Sequence, residues 1–313
     1  MIFIDYLLRR LIQMVPVVIG VSLVAFIAIH VVPGDPIEIM MHGRAKPDVV
    51  AAARAELGLD RPLPLQYLRF IGGALIGDLG VSIIQNAPVA DIIGERLGPS
   101  VFLLTYSTVL AVIVAVPLSL IAALYRGRLV DHVIRFAGMS GFAMPPFWVG
   151  LLLMLLFGLY LNWFSISGYG KTFPDHLRHL FLPSVTISLS LAPMLVQSLR
   201  AAMLEVLSAD YIEVARSKGL TPRRILIKHV LRNALIPVIT ILAVNIGWLL
   251  SGAVIVEYLF AFPGLGSLLV RAVGFRDYPV IQGLALVFAC LVMVVNLLAD
   301  IGYMLVDRRV LKE

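Results

Sequence analysis

The stretch Ala201–Pro237 reads AAMLEVLSADYIEVARSKGLTPRRILIKHVLRNALIP and is the longest charged interruption in an otherwise apolar second half of the chain. From Arg200, just before it, to Arg232 the chain holds seven Lys/Arg and three Asp/Glu. At roughly 3 kcal/mol per cation, burying those seven in hydrocarbon would cost about 20 kcal/mol. The stretch therefore lies in water. Its punctuation predicts helix, sharp turn, helix. Asp210 can N-cap with Glu213 three residues on as a capping box, Gly219 suits a left-handed C-terminal position, and Thr221-Pro222 restarts as N-cap and first helical residue. Helices of about 8 and 11 residues are marginal alone in water, so both need a surface to pack on. They offer Tyr211, Ile212 and Ala215 on the first and Ile227, Val230, Leu231 and Ala234 on the second. A solvated loop with helical character is the plainer alternative.

Outward from that loop the composition is that of a polytopic membrane protein. The 313 residues are 60% hydrophobic and 14% charged, with mean hydropathy +0.97, where a soluble domain has about 45–50% apolar residues. The net charge of +6 is explained by cytoplasmic loops rich in Lys and Arg, without nucleic acid. A single cysteine, Cys290, excludes an intramolecular disulfide and a cysteine metal cluster.

Six apolar runs are expected to cross the bilayer: residues 11–32, 101–125, 136–160, 182–199, 235–256 and 280–306. The first is uncharged for 22 residues, longer than the roughly 7–15 of a signal-peptide core, and reads as an uncleaved span. Residues 33–98 form a polar extension with six Lys/Arg and eight Asp/Glu, expected outside the cell. Helices are expected over Val49–Leu57 and Gln66–Ile76, with a turn at Arg61-Pro62-Leu63-Pro64 between them. Residues 161–181 read as a second outer loop. Pro145 and Pro146 remove two backbone donors from the third run and should kink or open it, either for packing or to line a pathway. The expected inner segments hold 15 Lys/Arg in about 60 residues and the outer ones 10 in about 110, which places both termini in the cytoplasm.

Little in the chain could carry chemistry. Gly170-Lys171-Thr172 ends like a phosphate loop, but Ser165 stands where its first glycine is required and no strand precedes it. An intramembrane hydrolase would bury a nucleophile with its base; the six His fall near or outside the ends of the apolar runs, and no G-x-S-x-G occurs. His176 and His179 could contact a metal, though H-x-x-H alone is a weak signal. A proton- or sodium-coupled transporter would place carboxylates near midplane, whereas the candidates are Glu257 at the outer edge of the fifth run and Asp300 near the inner end of the sixth. Asn245, Gln197 and Asn296 are polar residues within apolar runs, as interhelical hydrogen bonds require. Pro145, Pro146, Asn245 and Glu257 are the candidates for a substrate pathway. No catalytic or metal-ligating set is expected.

Glu213, Ala215 and Gly219 have the spacing of the E-A-A-x-x-x-G signature of ABC importer permeases, and ADYIEVARSKGL followed by KHVLRNALIP resembles its dipeptide, oligopeptide, glutathione and nickel branch. Val214 departs from the usual Ala, and Pro237 falls later than in the sugar-transporter form. PGDP (33–36), LGLDRPL (57–63), GDLGVS (77–82), FPGLG (262–266) and RDYPVIQG (276–283) extend the resemblance over most of the chain. It implies an all-α membrane protein with the type I ABC importer permease fold in a bacterial or archaeal cytoplasmic membrane. Implied partners are a second homologous permease, two cytoplasmic ATP-binding subunits holding ATP and Mg, an extracytoplasmic solute-binding protein and membrane lipid. The 200–232 loop would couple to the ATPase through Tyr211, Glu213, Ala215, Lys218, Gly219, Leu220 and Arg224. The cargo implied is a di- or oligopeptide or glutathione; nickel or its chelate is the alternative within the branch, and a secondary transporter the alternative outside it.

Overall fold

The computed structural model describes residues 2–31 and 60–306. The helix expected over 49–57, the phrase PGDP and the tail after 306 lie outside them. Among the described residues the secondary structure is helical apart from one isolated bridge, Val81 to Pro88. In chain order the helices are α1 (Ile2–Val31), α2 (Leu63–Leu75), α3 (Val89–Leu124), α4 (Leu129–Ala143), α5 (Pro146–Leu153), α6 (Phe173–Leu207), α7 (Asp210–Ser217), α8 (Pro222–Ile225), α9 (Arg232–Leu259), α10 (Leu265–Phe275) and α11 (Tyr278–Val306). Two π-helical segments continue α5 and α8, Met154–Tyr160 and Leu226–Leu231. The chain divides into two compact units, Met1–Ser100 with Pro263–Met293, and Val101–Phe262 with Val294–Glu313.

The first unit is built on α10 and the beginnings of α3 and α11. Val89, Ile92 and Ile93 pack with Leu265, Leu268, Ala272, Val280 and Leu284. Asp277, buried at the turn into α11, accepts hydrogen bonds from the Ser82 hydroxyl and the backbone N–H of Ile83 and Ile84. That one carboxylate joins the phrases GDLGVS and RDYPVIQG, almost two hundred residues apart in sequence.

The second unit is organised around α6. Its most apolar window has mean hydropathy 1.6, against 2.5 for α3 and α11, yet 72% of it is buried, against 33% and 11%. The inversion has a physical cause. α6 packs against α4, α5 and α9, and small polar residues allow close approach when their hydroxyls bond to their own helix, as Thr186 does to the Leu182 carbonyl and Ser188 to that of Val185. Leu180, Leu191, Leu195, Leu199 and Met203 fill the core beside them.

Several expected boundaries shift. α6 begins at Phe173, inside the segment read as an outer loop, because Thr172 and Asp175 form a reciprocal capping box. It also runs past residue 199 to Leu207, taking the first part of the charged stretch into the helix. The third apolar run is not a continuous helix: α4 and the α5 arm are bent by 101° at Pro145-Pro146. Met144 and Pro145 are extended there, at ψ 131° and 132°, as the residue before a proline prefers. Among the described residues, α3, α6 and α11 are long and apolar enough to cross a membrane, and the bent pair makes a fourth if it counts as one crossing.

Candidate functional site

The charged stretch folds as a short helix held between two long ones. α6 ends at Leu207, and two residues later α7 begins. Ala209, not Asp210, is the N-cap, with no side-chain cap bond, so the expected capping box is absent. Asp210 instead opens the helix and Glu213 follows within its first turn, where their charge complements the helix dipole. The C-terminus is a Schellman motif. Gly219 sits at φ +76°, its N–H donates to the Arg216 carbonyl at 2.9 Å, and that of Leu220 donates to the Ala215 carbonyl at 3.2 Å. Thr221 is the N-cap and Pro222 the first residue of α8, as expected, though the Thr221 side chain makes no cap bond. The second helix does not stop at about 11 residues: α8, the π segment and α9 follow one another without a break from Pro222 to Leu259.

The burial pattern divides the predicted residues. Ile212 and Ala215 are buried in the core of their own chain, together with Ile225 and Val230. Ala215, expected to meet a partner, faces inward. Tyr211, Glu213, Lys218, Gly219 and Arg224 are exposed, Leu220 is half-buried, and Val214 and Ile227 are apolar yet 53% and 56% exposed. The outward face therefore combines an apolar patch, Tyr211 and Val214, with cations at Arg216, Lys218, Arg223 and Arg224.

A buried ion pair, not legible in the sequence, fixes the base of this arrangement. Asp131, in the first turn of α4, receives Arg200 of α6 in a bidentate contact, Nε to Oδ1 at 2.7 Å and Nη2 to Oδ2 at 2.6 Å; the Gly127 N–H also donates to Oδ2 at 2.9 Å. Asp131 is 1% exposed and Arg200 16%. The hydrogen bond from Arg200, with help from Gly127 and the field of Arg135, holds the Asp131 carboxyl below its ordinary range against the opposing effect of burial. In the sequence Asp131 stands among Arg126, Arg128 and Arg135; its partner lies 69 residues away, and no short-range signal points to it.

The four pathway candidates are dispersed. Asn245 donates to the Ile241 carbonyl of its own helix at 2.8 Å. Glu257 is buried twelve residues further along α9, about 18 Å away at 1.5 Å per residue. Pro145 and Pro146 mark the break before α5, which packs on α6 and α9. Gly150 is the point of closest approach: a Cβ there would lie 2.8 Å from Leu259 Cδ2 and 3.2 Å from Thr186 Cγ2. Among the described residues no group of three or more His, Cys, Asp or Glu could hold a metal ion. The His176 Nδ1 pairs with the Tyr169 carbonyl and the His179 Nδ1 with the Asp175 carbonyl, at 2.7 and 2.8 Å.

Residues 115–312 match the family described as binding-protein-dependent transport system inner membrane component, and residues 3–105 match its N-terminal membrane component. The dipeptide transport system permease protein DppB of Escherichia coli (strain K12) is 37% identical over 333 aligned positions, covering 98% of each chain. The glutathione transport system permease protein GsiC of the same strain is 38% identical over 299, covering 96% of each. Among solved structures, an inward-facing form of the MetNI methionine ABC transporter superposes with TM-score 0.57 over 69% of this chain and 96% of that one, at 16% identity. That likeness speaks for the fold alone.

Proposed function

The chain belongs to the family of binding-protein-dependent transport system inner membrane components, and from that premise we propose how it works as the membrane subunit of a peptide importer. Six crossings with both termini in the cytoplasm, a second permease beside this one, two ATP-hydrolysing subunits inside and a solute-binding protein outside make up the transporter. ATP and Mg are held by the ATP-hydrolysing subunits. This chain carries the pathway and performs no hydrolysis. Its cargo is a dipeptide, a short oligopeptide or a glutathione-like peptide, in keeping with the dipeptide and glutathione systems of its relatives.

The observation that carries the mechanism is the mounting of α7. It is joined to α6 by two residues, and its Schellman turn leads straight into a helix that continues to Leu259. Closure of the ATPase subunits pushes on Tyr211, Val214 and the cations around them. Ile212 and Ala215, packed in the core, pass that displacement to α6 and α9 instead of letting α7 swing alone. The Asp131–Arg200 clamp makes α4 follow α6. The pathway then opens outward and accepts substrate.

Replacing Tyr211 and Val214 together by Ser tests the docking face. Membrane level should stay normal, while co-purification of the ATPase subunits and uptake both fall. Undiminished ATPase retention by the double variant would show that α7 is not the contact.

A further inference from the structure

We propose that α2 is seated in the outer leaflet of the bilayer, with lipid acyl chains covering its exposed leucine stripe. α2 is amphipathic in the wrong sense for a helix in water. Leu65, Leu68, Leu75 and the C-cap residue Ile76 share one face, at spacings of three, seven and one; they are 52%, 63%, 84% and 84% exposed. Gln66, Tyr67, Phe70 and Ile71 are the more protected residues. A run of large apolar side chains left open at helical spacing calls for an apolar cover.

The register against α1 says what that cover is. The His30 Nε2 pairs with the Gln66 Oε1 at 3.3 Å, and the Tyr67 ring meets that of Phe26 edge-on at 5.4 Å. The Tyr67 hydroxyl pairs with Ser22 Oγ at 2.9 Å and donates to the Ile19 carbonyl at 3.2 Å. Ser22 is nine residues inside the outer end of α1 at Val31, about 13 Å along the axis. Tyr67 thus reaches well below the rim of the apolar run. α1 presents its own open apolar surface at that depth, with Val24 and Ile27 at 67% and 50% exposure, so α2 starts beside a surface that itself needs an apolar cover. At 13 residues, about 20 Å, α2 is too short to cross a core of about 30 Å, which leaves the interface between acyl chains and headgroups. Arg69, exposed next to Leu68, can extend its guanidinium to the phosphates from there. The proposal rests on α1 crossing the membrane.

Spin labelling of the full chain in proteoliposomes tests it. With Cys290→Ser as background, nitroxides at Leu68→Cys and Leu75→Cys are compared with Val24→Cys on α1 and Lys171→Cys in the outer loop. Collision with oxygen, which partitions into lipid, should exceed collision with an aqueous nickel chelate several-fold at 24, 68 and 75, and the order should reverse at 171. If 68 and 75 behave like 171 while 24 stays lipid-exposed, α2 lies in water and the proposal fails with α1 intact. Loss of both collision signals at 68 and 75 when the second permease or the binding protein is added would make a protein the cover and equally overturn it. Aqueous exposure of 24 as well would overturn the α1 crossing and the proposal together.

Discussion

Gly219 carries the sharpest consequence of any single residue in the loop. A Cβ at this position would meet no atom within 4 Å, so substitution costs arise only from the backbone at φ +76°. Gly219→Val should therefore cost on the order of 1–3 kcal/mol in a left-handed conformation that β-branched residues avoid, misdirecting α8. Gly219→Asn should be tolerated, because Asn adopts that region readily. The expected readout is normal membrane level for both, with weakened ATPase association and lost uptake for Val only; wild-type uptake by Gly219→Val would mean the loop is a mere connector. Asp131 makes the second residue-scale prediction. Removing one partner of a buried, hydrogen-bonded pair leaves the other charge stranded, typically about 3–5 kcal/mol, so Arg200→Met should lower the detergent melting temperature far more than removal of an exposed Arg such as Arg223. Since the folded-state pKa of Asp131 is depressed, its stabilisation is fully present above the ordinary carboxylate range near pH 4 and is lost as pH falls through the lower folded value. Arg200→Met should abolish that acid-side step in a melting-temperature profile.

At the scale of elements, the turn chemistry of the loop was legible and its end points were not. Gly219, Thr221 and Pro222 announce their roles because the conformation each favours is local. The capping box expected at Asp210–Glu213 fails because Ala209 takes the N-cap, while the box that does form joins Thr172 to Asp175, in the segment expected as an outer loop, with the [ST]-x-x-[DE] form that Asp210–Glu213 lacks. Apolar length misled at both ends of α6: hydropathy finds where lipid could be, whereas the helix continues wherever backbone bonding and tertiary packing support it. The inward turn of Ala215 and the Asp131–Arg200 clamp depend on neighbours far along the chain, which one sequence does not encode in any readable period. The continuity of α8 with α9 was missed for the same reason, and it yields a prediction. Inserting Gly-Gly between Leu231 and Arg232 should leave α7 docked and break the transmission to α9. ATPase subunits should then still co-purify and hydrolyse ATP, but hydrolysis should no longer respond to the loaded binding protein and uptake should vanish. Uptake that survives the insertion would place transmission elsewhere, through α6 alone.

For the whole molecule the decisive quantity is which side of the membrane each polar segment occupies, because a coupling loop has meaning only if it shares a compartment with ATP. Cation density argues for a cytoplasmic 200–232 loop and an external 161–181 segment, and the structure adds side chains suited to reporting both. Ser217 and Lys171 are exposed at the end of α7 and just before the capping box of α6, so a thiol at either should be reachable from its own aqueous phase without disturbing packing. Neither sits in the core, and the Ser217 hydroxyl spends its bond on the Glu213 carbonyl of its own helix, a contact whose loss is cheap at an exposed site. In a Cys290→Ser background, Lys171→Cys should be labelled in intact cells by a membrane-impermeant thiol reagent. Ser217→Cys should react only after permeabilisation, and assembly with the ATPase subunits should slow that reaction several-fold because α7 becomes covered. Labelling of Ser217→Cys in intact cells would invert the topology and, with it, put α7 out of reach of any cytoplasmic ATPase.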